Sequence, residues 1–156
     1  SLQTNPFFTA RAVKKVCVVV ITADRGLCGA FNTNIIREAT SYINEELKNE
    51  YPVSVFTLGK KATEYFGRRN YSIEGKIVGL FSTLEYQSAL QLYNDLVPKY
   101  LNGELDKIVL VYNEFVSMIQ QRIVKVQLLP IPFISENKEV KVSANYIFEP
   151  DQLSIF

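Results

Sequence analysis

The sequence predicts an α/β domain of three layers, built on a mostly parallel five-stranded sheet with one antiparallel edge strand. Three observations carry this. Two short runs, Val16-Cys17-Val18-Val19-Val20-Ile21 and Lys107-Ile108-Val109-Leu110-Val111-Tyr112, are almost continuously apolar, as strands covered by helices on both faces are. Between them, stretches with helical spacing alternate with further strand-like runs, the order that builds parallel sheets through crossover helices. In the last strand-like run, Gln121 to Leu129, Val124, Val126 and Leu128 alternate with Lys125 and Gln127, and the connection before it is too short for a helical crossover. A strand of that kind is half exposed and runs antiparallel at an edge.

The elements follow in order. Residues 1–12 are a mixed lead-in containing Pro6-Phe7-Phe8, and residues 13–132 hold the α/β core. After the first apolar strand and a glycine-bearing turn, Phe31, Ile35, Ile36, Ala39, Ile43 and Leu47 form one helical stripe, with Arg37, Glu38, Glu45, Glu46 and Lys48 off it, and Pro52 ends the helix. Val53 to Leu58 is a second strand closed by Gly59, and Lys60 to Arg69 reads as a short helix with Ala62, Tyr65 and Phe66 inward. A third, weaker strand is expected around Lys76-Ile77-Val78-Gly79. Ser82 and Glu85 fit a capping box, in which the two side chains satisfy free amides of a first helical turn. The helix expected there has Leu84, Leu92, Leu96 and Tyr100 as its stripe, a kink at Pro98 and closure at Gly103. Residues 133–156 are polar, then aromatic at Tyr146 and Phe148, and Glu149-Pro150-Asp151-Gln152-Leu153 reads as the start of another helix. The whole, residues 1–156, is read as one domain without internal repeats.

Composition narrows the chemistry. Seventeen Lys and Arg against 16 Asp and Glu leave a formal charge of +1, without the cation excess that binding a phosphate backbone requires, so no nucleic-acid partner is expected. The chain has no histidine, which removes the usual general base, the commonest zinc ligand and any Ser-His or Cys-His pair. No catalytic set, metal site or cofactor site is expected. Cys17 and Cys28 are separated by a strand and a turn, and eight extended residues alone span roughly 26 Å, so a disulfide between them is implausible and a reducing compartment is expected. The apolar run Val16 to Thr22 is too short to cross a bilayer, and no signal-like pattern opens the chain. Membrane association is therefore expected only through partners.

The turn Asp24-Arg25-Gly26-Leu27-Cys28-Gly29 has two readings. A strand-to-helix turn with glycines can present amides to an anion at the positive end of a helix, with Arg25 adding charge, so a small nucleotide- or anion-binding module using Gly26 to Gly29 is one of them. The spacing Gly26-x-x-Gly29 matches neither G-x-G-x-x-G nor the Walker loop. The other reading is steric, with one glycine adopting a backbone angle closed to other residues and one allowing close packing.

Asp24-Arg25-Gly26-Leu27-Cys28-Gly29 followed by Phe31-Asn32 resembles the signature of the central domain of gamma subunits of F-type rotary ATP synthases. Val13-Lys14-Lys15-Val16, Leu58-Gly59-Lys60-Lys61, Tyr112-Asn113-Glu114-Phe115-Val116-Ser117, Leu128-Leu129-Pro130 and Tyr146-Ile147-Phe148-Glu149-Pro150 are similar to that family in the same order. The resemblance implies a Rossmann-like domain in a non-catalytic rotor, the central stalk, which couples ion-driven rotation of the c-ring to ATP synthesis by the alpha and beta subunits. It also implies a peripheral position on the cytoplasmic face of a bacterial inner membrane, the mitochondrial matrix side being the second reading. The two long shaft helices of that family need sustained apolar heptads, which neither end of this chain carries.

By the same resemblance, Arg25, Gly26, Leu27, Cys28 and Asn32 would face the beta subunits, with Arg25 as the contact; pairing of Arg25 with an acid of its own chain is the alternative. Tyr146 and Phe148 resemble the region that meets the epsilon subunit and the c-ring; packing of the two rings on their own domain is the alternative.

Overall fold

The computed structural model describes residues 5–24, 29–79, 86–117 and 120–132. Its five strands are β1 (Val16–Ile21), β2 (Val53–Leu58), β3 (Ser72–Ile77), β4 (Lys107–Ser117) and β5 (Gln120–Leu129). They form one sheet in the order β3-β2-β1-β4-β5, with β1 to β4 parallel and β5 antiparallel to β4. Each strand of the expected set is there, and the antiparallel one lies at an edge.

β1 is central because each of its residues is apolar. Val16 through Val20 are fully buried, and the pleat sends alternate side chains to opposite faces. Cys17, Val19 and Ile21 enter one core, with Phe56, Leu58, Ile108 and Leu110 from the neighbouring strands. Val16, Val18 and Val20 enter the other, with Val55 and Val111.

Three helices cover these faces. α1 (Gly29–Ser41) and α2 (Lys60–Gly67) bring Ile35, Ala39, Ala62 and Phe66 onto the second face. Tyr65, expected to point inward, is half-buried at its margin, as is Ile36 of α1, and Phe31 is also half-buried. α3 (Tyr86–Leu101) lays Leu92, Leu96, Val97 and Tyr100 on the first face.

The end of the first helix departs from the expected single stripe. Ile35, Ala39, Ile43 and Leu47 stay at most 4% exposed although each lies four residues after the last. In an α-helix every such step overshoots a full turn by about 40°, which would carry Leu47 off the face. Residues Tyr42–Leu47 instead form a π-helical segment, and Lys48 N–H reaches back five residues to Ile43 O at 2.8 Å. The wider turn cancels the drift.

β3 runs over Ser72–Ile77 rather than around Lys76 to Gly79. Gly79 has φ +89, outside extended space, and Val78 is 58% exposed, so the strand stops at the inward-facing Ile77. Gly75 lies where the β2–β3 register shifts, and a Cβ there would sit 2.5 Å from Cε2 of the buried Phe56 ring. Gly75→Ala is expected to destabilise the chain by about 1–3 kcal/mol through overpacking, read as a lower urea midpoint.

The start of α3 at Ser82 to Glu85, and Leu84 of its stripe, lie outside the described residues. The kink expected at Pro98 does not interrupt the helix, which continues to Leu101. Pro98 deprives the Asn94 carbonyl of its donor, and both residues are on the exposed side, where water can replace the lost bond. Gly103 does close the helix: with φ +81 it lets its own N–H reach Tyr100 O at 3.2 Å and Glu104 N–H reach Lys99 O at 2.9 Å.

The lead-in is stitched to the core. Arg11 Nε bonds Asp106 Oδ1 at 2.9 Å, and Nη2 donates to the carbonyls of Tyr100 at 2.6 Å and Leu105 at 2.7 Å. Tyr100 donates its hydroxyl to Pro6 O at 2.8 Å, and Ile131 N–H bonds Phe7 O at 2.6 Å.

Candidate functional site

The carboxyl ends of β1, β2 and β3 meet at one edge of the sheet. Chain order runs outward from β1 to β3 and then returns to β4 on the other side of β1, so the order of connection reverses beside β1. In open α/β sheets that edge and that reversal are where functional loops gather.

The three connections are tied together by side chains that β1 delivers. Buried Thr22 donates its hydroxyl to Leu58 O at 3.1 Å and accepts Ala62 N–H at 3.1 Å, joining β1 to the first turn of α2. Gly59 follows β2 with φ 95 and ψ 155, and its N–H bonds Ile77 O at 2.8 Å. Only glycine fits there, because a Cβ would lie 2.1 Å from Thr22 O. Thr63 donates its hydroxyl to Gly59 O at 2.7 Å and faces the Thr57 hydroxyl at 3.0 Å. Asp24 uses both carboxylate oxygens, accepting Lys60 N–H at 2.5 Å and Gly79 N–H at 3.1 Å. With Thr22 on Ala62 N–H and Asp24 on Lys60 N–H, free donors at the start of α2 are satisfied by the chain itself.

Asn32 is 5% exposed and its amide clasps the backbone of one residue: Oδ1 accepts Ala23 N–H at 3.1 Å and Nδ2 donates to Ala23 O at 2.6 Å. It therefore ties the first turn of α1 to the end of β1, and its amide is turned into the chain. Arg25, Gly26, Leu27 and Cys28 lie outside the described residues, as do Tyr146 and Phe148. Thr22 and Gly59 were not singled out by sequence as a pair; the only signal was a glycine directly after a strand, and their contact spans connections far apart in the chain.

Several other polar groups are engaged within the fold or lie on its surface. Lys60, Lys61, Arg68 and Arg69 are exposed, and the Arg69 guanidinium lies 3.6 Å over the Tyr65 ring, as on a solvated helix surface. Burial pushes the Cys17 thiol up to about 12, only partly offset by a hydrogen bond with Ser54, so this cysteine stays protonated and unreactive at neutral pH. Glu74 bonds Lys99 Nζ and Ser54 Oγ, with Lys15 Nζ at 3.5 Å. Burial pushes its carboxyl up, and the bonds from Lys99 and Ser54 with the Lys15 charge bring it below its usual range.

A shallow pocket of about 410 Å³, lined by Lys48, Tyr51, Pro52, Tyr71 and neighbours, lies at the amino ends of β2 and β3, opposite the tied edge. Among the described residues no His, Cys, Asp or Glu side chains group to hold a metal, and no helix is long and apolar enough to cross a membrane.

Comparison with known proteins extends these observations. The family model for ATP synthase matches residues 1–156. An ATP synthase gamma chain of Pelotomaculum thermopropionicum is 40% identical over 152 residues, covering 97% of this chain and 52% of that protein. One of Chlorobium phaeobacteroides is 42% identical over 156 residues, covering 97% and 53%. The chain thus spans about half the length of the curated relatives it matches. Among solved structures, the central stalk and c-ring of the Tetrahymena thermophila mitochondrial ATP synthase matches with TM-score 0.60 at 21% identity, covering 96% of this chain and 71% of that one. The rotor of the Euglena gracilis mitochondrial ATP synthase in rotational state 1 matches with TM-score 0.51 at 23% identity, covering 84% and 42%. At these identities the structural likeness shows a shared fold.

Proposed function

The chain belongs to the ATP synthase family that these gamma chains represent, and from that premise we propose that it is the α/β domain of a central-stalk rotor with no active site of its own. The observation that carries this reading is sequence identity of about 40% to gamma chains, continuous over nearly the whole chain. In the assembled enzyme, proton or sodium flux turns the c-ring, the stalk turns with it, and the alpha and beta subunits make ATP. The chain reaches the membrane through its partners, at the cytoplasmic face of a bacterial inner membrane.

Within this reading, the β1–α1 connection faces the beta subunits. Arg25 is the contact, Gly26, Leu27 and Cys28 complete the connection, and Asn32 shapes it from within through Ala23. Support comes from the geometry around it: the connection leaves the most buried strand at a braced edge of the sheet. Tyr146 and Phe148 face the epsilon subunit and the c-ring.

In a full-length gamma chain assembled with its partners, Arg25→Ala is expected to lower ATP-driven proton pumping per ATP hydrolysed by several-fold, with the chain's own melting temperature unchanged. Parental pumping would remove Arg25 from the contact. Calorimetric titration with the cognate epsilon subunit, and separately with ATP, tests the wider reading. Saturable epsilon binding without ATP binding is expected, whereas ATP binding alone would make the glycine turn an anion site.

A further inference from the structure

We propose that Glu74 is a register lock for the edge strand β3. While it is held, the strand presents Glu74 to the α3 side of the sheet; once it is released, the first half of the strand slips by one residue and presents Ile73 there instead.

The pairing of β3 with β2 carries one residue too many. Val55 lies opposite Ile73, and the next residue of β2, Phe56, lies opposite Gly75, so Glu74 is the extra residue between them. Such a bulge bends a strand and re-aims a side chain. Cys17 and Phe56 enter the core under α3, and Ser54, paired with Cys17 and two residues before Phe56, points to that same side. Glu74 accepts from the Ser54 hydroxyl at 3.0 Å, so it too faces α3, with Lys99 of that helix on its other oxygen and Lys15 Nζ at 3.5 Å. Its side chain is only 11% exposed. Ile77, three residues later, enters the same core. Under strict alternation residues three apart face opposite ways, so it is the bulge that delivers both Glu74 and Ile77 to one side.

The two halves of β3 are held differently. Buried Ile77, and Gly75 against the Phe56 ring, fix the second half. The first half is fixed on the α3 side by the Glu74 carboxylate, through charge-assisted bonds. Ile73 faces the other side and is 42% exposed. With Glu74 released, the ladder closes its gap if Ile73 moves from Val55 to Ser54. That one-residue step turns Ile73 inward beneath α3, burying apolar surface, and turns residue 74 to the opposite side. The step also parts Tyr71 from Phe66, whose rings meet edge-on at 4.9 Å, and this keeps the straight form a minority. Tyr71 and Ser72 line the shallow pocket at the amino ends of β2 and β3, so the state of Glu74 sets the shape of that pocket.

Residue-resolved NMR on the full chain tests this. It compares Glu74→Ala, the double variant Glu74→Ala with Ile73→Ser, and Glu74→Gln, which keeps one acceptor oxygen. In the parent, cross-strand contacts should join Ser72 to Ser54 in a single set of signals. In Glu74→Ala a second, minor set is expected for residues 71–74, seen directly or by relaxation dispersion, in which Ile73 takes over the contact with Ser54. Gly75 should keep its contact with Phe56, and Val18 and Val19 in β1 their exchange protection, which separates a slip from a general loss of stability. The double variant, which gains nothing by turning residue 73 inward, should return to one set with the parental pairing. Glu74→Gln should show the second set at a several-fold lower population, and it carries the test if the alanine variant does not fold.

A single set with parental pairing in both Glu74→Ala and Glu74→Gln would overturn the lock. A second set of equal size in the double variant would overturn it as well, because Ile73 would then not be the competitor.

Discussion

Gly59→Ala is expected to cost about 3 kcal/mol or more, enough to leave much of a marginally stable chain unfolded at 25 °C. Two independent effects act on one atom. The backbone at φ 95 and ψ 155 is a region only glycine occupies, and holding another residue there costs about 1–3 kcal/mol. The new methyl would also sit 2.1 Å from the Thr22 carbonyl oxygen and 2.6 Å from its hydroxyl. Relief requires β1 and the start of α2 to separate, which breaks the bonds Thr22 makes to Leu58 and Ala62. Urea unfolding followed by circular dichroism measures it. A midpoint equal to the parent's would mean that Gly59 does not hold this conformation in solution.

Asp106→Ala is the second large effect, expected at about 2–4 kcal/mol. The carboxylate is 4% exposed and accepts from Arg11 Nε at 2.9 Å, Lys14 N–H at 2.8 Å and Lys15 N–H at 3.1 Å. Its removal leaves those donors short of a partner and loosens the guanidinium that also holds the carbonyls at the end of α3. Burial by itself pushes the carboxyl up. The Lys14 amide, the Arg11 guanidinium and the Lys15 amide outweigh it, so the folded group titrates below its ordinary 3.8. A depressed folded value means that the charge contributes its full stability above the unfolded value and loses it as pH falls through the folded one. The parent and Asp106→Asn, which keeps the shape without the charge, should therefore converge in stability below about pH 4 and differ most near neutrality. A gap of constant size through that acid range would show that the ion pair contributes nothing.

What could be read from the sequence was whatever repeats locally. The two apolar strands, the stripe of α2 at Ala62 and Phe66, the alternating edge strand and the closing glycine after α3 all depend on neighbours within a few residues. The misplacement of β3 has the same root. Glu74, half-buried within it, is held by Lys99, Ser54 and Lys15, all remote in sequence. The π-helical segment was hidden because a spacing of four residues fits an α-helix over one step and fails only when summed over three. Asn32 illustrates the limit for the candidate site: its residue type allowed a surface contact, and only the fold reveals that its amide closes on Ala23.

The hydrogen bond from Ile131 to Phe7 has a mechanical consequence for the segments on either side of the core. The lead-in before β1 and the segment after β5 are joined across 2.6 Å, although β4 lies between those two strands in the sheet. Tension applied to these two segments meets this bond before it reaches β1 and β5, so the bond is the first element to yield and the sheet the second.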